Sequence, residues 1–467
     1  MVNLWVTRST YDERLHRRYH FCPSPPILRS ANKLARNVKT TIKILSCVAC
    51  SLMVVALASP AEAQTTATKL AISETDWPWW RGLDRDGIAA SNQTPPTTWS
   101  QEENIRWRAA VPGRGHGSPT VLGDKVFLAT ADHERQVQLV LCFDRESGKQ
   151  NWEAVVHEGG FANNSKRKPN EKASLASSTV ATDGHRLFIN FLNDNAVYTT
   201  AIDLSGNMLW QRKITDYILH QGYGSSPAVY EHLVIVSADN KSGGAIVGLN
   251  RETGEVVWRR ERPEKPNYAS PVIMYVAGRE QLIFTGCDLV TSLDPLTGEQ
   301  LWEIEGATTE CVTTSVTDGK HVFTSGGFPK NHISAVAADG SGKVVWEINT
   351  RAYVPSFLQR DGFLFTALDA GIATCFDCAT GDEVWKGRLG GTFSSSPVMV
   401  GDLIYATNEE GITHIFKANP QKFEKVGENK LGESVFATPA ICGGRIYTRV
   451  AHEEDGKRQE YLYCIGS

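Results

Sequence analysis

Asp377-Cys378-Ala379-Thr380-Gly381-Asp382-Glu383-Val384-Trp385 reads as a tight turn, then a strand that carries Trp four residues after the glycine. Asp and Thr can bond the turn's own backbone, and Gly takes the left-handed conformation that closes a hairpin. The same arrangement runs from Asp144 through Gly148 to Trp152, from Asn250 through Gly254 to Trp258, and from Asp294 through Gly298 to Trp302. Two copies have a shorter turn, Asp203 through Gly206 to Trp210 and Asp339 through Gly342 to Trp346. The glycine-to-tryptophan offset is four in all six copies. Alternating stretches such as Val137–Phe143 flank the turns, so each turn joins two antiparallel strands.

A second signal precedes each turn: small residues, often with Pro, that open another strand. Its copies are Gly117-Ser118-Pro119, Ser177-Ser178-Thr179, Ser225-Ser226-Pro227, Ala269-Ser270-Pro271, Thr313-Thr314-Ser315, Pro355-Ser356, Ser395-Ser396-Pro397 and Ala437-Thr438-Pro439. Small side chains suit strands crowded around a common axis. Eight units of about 45 residues each are propeller blades. The last unit stops at Ile465 without a fourth strand, and Ile105–Val111, which carries Trp107, is a spare strand upstream. Pairing the two closes the ring and leaves no open edge. The predicted fold is an all-β, eight-bladed propeller over residues 105–467, with Trp107, Trp152, Trp210, Trp258, Trp302, Trp346 and Trp385 packed between blades.

Residues 1–63 read as a targeting segment. Nine Lys/Arg between Arg8 and Lys43 precede an apolar run, Ile44 to Ala58, and then Ala61-Glu62-Ala63. A basic region, a short apolar core and an A-x-A end make a signal peptide. The run is shorter than the about 20 residues of a membrane span. Cys47 and Cys50 lie inside the run, not at a lipoprotein cleavage position. Export to the periplasm or the cell exterior is the expectation, with no transmembrane segment in the mature, monomeric chain. Removing this segment leaves 39 basic against 49 acidic side chains, a net charge of −10. An acidic surface without a basic stripe excludes nucleic acid as the expected partner.

Seven cysteines follow Ala63. Cys142, Cys375 and Cys464 recur in one strand setting and read as buried small side chains. Cys375 and Cys378 have redox-motif spacing but fall on a hairpin instead of a helix start. Ala379, not His, follows Cys378, so the motif is not one for haem attachment.

The turn-plus-tryptophan repeat resembles the tryptophan-docking motif of the PQQ-like β-propeller family, whose members include quinoproteins and BamB-like propellers without catalytic activity. The resemblance covers residues 77–467. The leader Trp77-Pro78-Trp79-Trp80-Arg81-Gly82, within an extension over residues 64–104, is also similar to that of secreted bacterial members. For catalytic members the resemblance implies PQQ above the axis on a calcium ion, with adjacent cysteines nearby in the alcohol-oxidising ones. This sequence has no Cys-Cys pair. It is also shorter than those enzymes, and no calcium-ligand set matches residue by residue.

The chain adds length in one place. Trp152 and Trp210 are 58 residues apart, whereas Trp258, Trp302 and Trp346 are spaced by 44. The excess lies in His157–Lys172, a connection from an outer to an inner strand. That connection emerges on the same face as the hairpins at Asp132, Asp239 and Glu409. The candidate binding residues on this face are His116, His157, Asn163, Lys166, Lys172, Tyr223, Asp239, Tyr268, Tyr353 and Phe436. They would meet a protein or small-molecule partner. No Gly-x-Ser-x-Gly, His-Glu-x-x-His or Walker motif is present, and no catalytic or metal-ligating residue is assigned. The expected function is that of a binding or assembly scaffold without a cofactor. The alternative is a PQQ- and metal-dependent alcohol or sugar dehydrogenase.

Overall fold

The computed structural model describes residues 70–161, 170 and 172–466. The targeting segment, Asn163 and Lys166 lie outside them. The described residues contain no helix. They form eight antiparallel four-stranded blades around one axis, ordered inner to outer strand. Blade 1 consists of Thr120–Leu122, Lys125–Asp132, Val137–Asp144 and Gln150–Glu158. Blades 2 to 7 follow over residues 181–216, 228–262, 272–305, 316–348, 358–388 and 398–430. Blade 8 uses Ala440–Cys442, Arg445–Glu454 and Lys457–Ile465, and Ile105–Val111 completes it as the outermost strand. Trp107 stands opposite Cys464 in that pairing, so the ring closes as the two half-blades predict.

The blade-to-blade joints explain the repeat. The Trp stands opposite a small residue of the third strand: Cys142 for Trp152, Ala201 for Trp210, Gly248 for Trp258 and Cys375 for Trp385. The recurring cysteines therefore leave room for an indole. Burial pushes the Cys375 and Cys378 thiols up to about 12, against thiolate chemistry. Beside the Trp position the register shifts by one residue in every blade. Such a bulge re-aims a side chain, here toward the next blade. The indole N–H then donates to a turn carbonyl of that blade: Trp107 to Arg145 at 3.0 Å, Trp152 to Leu204 at 3.1 Å and Trp346 to Cys378 at 2.8 Å. Trp210, Trp258 and Trp385 do the same to Arg251, Pro295 and Asn419. Trp302 departs from the pattern, donating to Gln281 of its own blade at 2.8 Å. The bulged residues point outward, which accounts for the exposed Leu209, Val257, Val345, Val384 and Val426.

The small-residue openings do more than relieve crowding. Their backbone amides donate to hydroxyls of the next blade: Ser118 to Thr179, Thr179 to Ser226, Ser226 to Ser270, Thr314 to Ser356, Ser356 to Ser396 and Ser396 to Thr438, all at 2.9–3.0 Å. Six links of one direction thus form a belt around the axis. Between blades 4 and 5, Trp80 of the leader reaches the Thr314 hydroxyl at 2.8 Å.

The leader crosses the end of the propeller that carries the first-to-second-strand turns. Trp77 exchanges two backbone bonds with Val121 of blade 1 at 2.9 Å. Arg85 lies over Trp79, 4.2 Å from the ring centre, and donates to Val229 of blade 3 at 2.5 Å. Buried Arg81 donates to Asp86 and to Phe357 of blade 6. Ile88–Ala89 then adds a fifth, parallel strand to the inner edge of blade 7, an element the sequence does not announce. Blade 7 has Gly427 at the Trp position, opposite Ile415. Leader residue Trp99, 5% exposed, packs into the neighbouring core, and its amide donates to Asn429 at 2.9 Å.

Candidate functional site at the propeller axis

Each inner strand enters the ring just after its small-residue opening, so the side chains before that opening converge on the axis. His116, Lys172, Tyr223, Tyr268, Tyr353 and Phe436 come together there, around a cavity of about 520 Å³. Trp80 lines it as well, held by Thr314. The leader thus supplies part of the cavity lining from the opposite end of the propeller.

One wall is an acid–aromatic group that sequence reading passes over. Buried Glu310 lies 3.1 Å from His220 Nε2 and accepts from the Tyr353 hydroxyl at 3.2 Å. Asp369 accepts from the Tyr353 amide at 2.8 Å, and burial raises its carboxyl above the usual range. Burial, with Glu310 nearby, also raises the Tyr268 and Tyr353 phenols. The buried Tyr268 hydroxyl has no partner of good geometry. Arg351 sits 5.0 Å from the Tyr353 ring centre and donates to Gly327 at 3.1 Å. On the other side His116 stacks on Phe436, with centres 4.5 Å apart and planes at 16°. Burial, reinforced by Arg114, holds that imidazole well below its ordinary pKa and therefore neutral.

At the mouth, Lys172 ends the long connection and reaches Glu409 of blade 7 with 2.7 Å contacts to both carboxylate oxygens. Asn170 donates to Gln221 at 2.9 Å. The described end of the 157–172 connection is thereby tied to blade 7 and to the blade 2–3 connection.

Two sequence candidates lie elsewhere. Asp239 is turned into the blade 3–blade 4 joint, where Arg262 Nε lies at 3.3 Å and Asn267 donates at 3.2 Å. It neutralises a buried guanidinium. His157 packs edge-on against Phe191 and Tyr198, with ring centres 6.1 and 5.2 Å away. Burial pushes its pKa down to about 4.

With this geometry in view, the relatives are informative. A family model described as outer membrane protein assembly factor BamB matches residues 88–216, 136–327 and 329–422. The chain belongs to that family. It is 25% identical over 385 residues to the outer membrane protein assembly factor BamB of Burkholderia pseudomallei (strain K96243), covering 78% of this chain and 89% of that protein. The solved BamB of Moraxella catarrhalis superposes with TM-score 0.54 at 13% identity, over 77% of this chain and 99% of that one. A europium-containing methanol dehydrogenase gives TM-score 0.62 at 11% identity, covering 85% and 99%. The quinohemoprotein alcohol dehydrogenase of Comamonas testosteroni gives 0.60 at 13%, covering 84% and 81%. At these identities the structural likenesses concern fold alone.

The fold shared with quinoproteins raises the question of PQQ, an anionic quinone that catalytic members hold on a metal ion. The cavity lining does not fit it. Glu310, Asp369 and Glu409 bring three carboxylates against two cations, with Lys172 taken up by Glu409 and Arg351 beside Asp369. No group of three His, Cys, Asp or Glu among the described residues is placed to hold a metal, and no cysteine lines the cavity.

Proposed function

We propose that this BamB-family chain is an exported, non-catalytic binding and assembly scaffold that meets a protein partner on the face where the axial cavity opens. The observation that carries the reading is convergence. Six side chains from separate blades and loops line one opening, on the face where the chain adds polar length. Family membership supports a role in assembly, and the basic N-terminal segment supports export to the periplasm or cell surface. Lys172 is held by Glu409, so attraction for an acidic partner falls to Lys166, Arg167 and Lys168, and weakens as salt rises.

Shortening the 157–172 connection tests this reading. Partner binding should be lost while the melting temperature holds. Binding that survives the deletion but is lost on substituting Arg145 or Glu146 would place recognition on the opposite face. Addition of PQQ with calcium should leave no bound-quinone absorbance and no dye-linked alcohol oxidation. Their appearance would make the chain an oxidoreductase.

A further inference from the structure

The axial cavity carries more hydrogen-bonding chemistry than a docking rim for a protein would use. We propose that it binds an uncharged, hydroxyl-rich small molecule, a mono- or disaccharide, with Trp80 as the stacking surface and Glu310, Asp369 and Tyr268 as its hydrogen-bonding partners. The inference is independent of the assembly role and concerns a second ligand.

Three observations narrow the chemistry. A carboxylate offers about four acceptor positions, and buried Glu310 uses one on the Tyr353 hydroxyl with His220 beside another. With Asp369 alongside, the lining calls for a ligand rich in donors. The Tyr268 hydroxyl, buried and without a well-placed partner, asks for one more polar group. Leaving such a hydroxyl desolvated and unpaired is costly, so the site is stabilised when a hydroxyl compound meets it.

The charges already present favour a neutral ligand. Glu409 is matched by Lys172 at 2.7 Å and Asp369 has Arg351 nearby, while Glu310 is hydrogen-bonded to Tyr353 beside His220. An anion would have to draw Lys172 or Arg351 away from its carboxylate. A cation would compete with the same two side chains for Glu409 and Asp369. A neutral ligand disturbs none of these pairs. The apolar share of the lining comes from flat rings, among them Trp80, Tyr268, Tyr353 and Phe436. Such surfaces cover the C–H faces of a sugar ring while planar acids and amides reach its edge hydroxyls. The cavity, at about 520 Å³, falls in the roughly 300–1,000 Å³ range of small-molecule sites.

The test is calorimetric titration of the exported chain with neutral mono- and disaccharides, with choline and glucuronate as the cationic and anionic probes. At least one neutral saccharide should bind with a stoichiometry of one and quench tryptophan fluorescence. Choline and glucuronate should bind about tenfold more weakly or not at all. Tyr268→Phe and Glu310→Gln should each weaken saccharide binding about five- to tenfold with unchanged circular dichroism. Trp80→Ala should abolish it. Because that change opens the cavity lining, Trp80→Phe is the control and should retain binding within about threefold. Absence of saccharide binding up to roughly 10 mM, tighter binding of either charged probe, or variants that bind like the parent would overturn the proposal.

Discussion

The indole of Trp346 fills the gap between two blades and donates to the Cys378 carbonyl at 2.8 Å. Gly381 of the same turn has φ +78°, and a Cβ there would lie 2.7 Å from the indole. The glycine serves both the left-handed turn and the ring stacked on it. Trp346→Ala should therefore cost about 3–5 kcal/mol, the range for large aromatic truncations, read by chemical denaturation. A cost under about 1 kcal/mol would mean the ring is not wedged between blades. Ser356→Ala removes the acceptor of the Thr314 amide and should cost about 1–3 kcal/mol, the penalty for an unpaired buried donor. This scale is where the sequence reads best for structure and worst for function. Trp and Gly declare themselves because turn and docking partner repeat locally. Glu310 does not, because its meaning comes from His220 and Tyr353, 90 and 43 residues away. Asp239 looks like a loop acid in sequence, and only Arg262, brought back by the outer strand of the same blade, turns it into a structural one.

At the scale of elements, strand alternation and half-blade complementarity are written in the chain, and the closure of Ile105–Val111 on Lys457–Ile465 follows from them. The leader is different. Its tryptophans are conspicuous, yet nothing in periodicity says that Trp80 would reach the axis or that Trp99 would pack beside a blade lacking its own Trp. The clue is negative: no Trp occurs in residues 398–430. Removing residues 64–112 should expose the last blade's edge and drive aggregation, seen by size-exclusion chromatography. A monomeric truncation with unchanged melting would refute the closure. Removing only residues 64–100 should keep the ring closed but lower the melting temperature, because buried Trp77, Trp79 and Trp99 go with it. Unchanged melting would show the leader to be an ornament.

For the whole molecule, acid is the revealing variable. His157 and His332 are pushed down from 6.5 to about 4 by burial. Both are neutral in folded and unfolded chains above pH 6.5, so neither affects stability there. As pH falls from about 6.5 toward 4 the unfolded chain takes up protons that the folded chain refuses, and stability declines. His157→Phe should lessen that decline within this window and leave stability above it nearly flat. An unchanged acid profile would show that His157 titrates normally in the fold. The proposed recognition face follows from the same whole-molecule arrangement. The converging side chains and the Lys172–Glu409 tie share one face, whereas the leader crosses the other.

Site-specific photo-crosslinking in cells of the native host tests that placement most directly, with the photoreactive residue at Asn170 or Thr392 beside the cavity mouth and, in parallel, at Asp124 or Glu146 on the opposite face. The scaffold account predicts a discrete protein adduct from the mouth positions and none from the opposite face. An adduct formed only at Asp124 or Glu146 would contradict it.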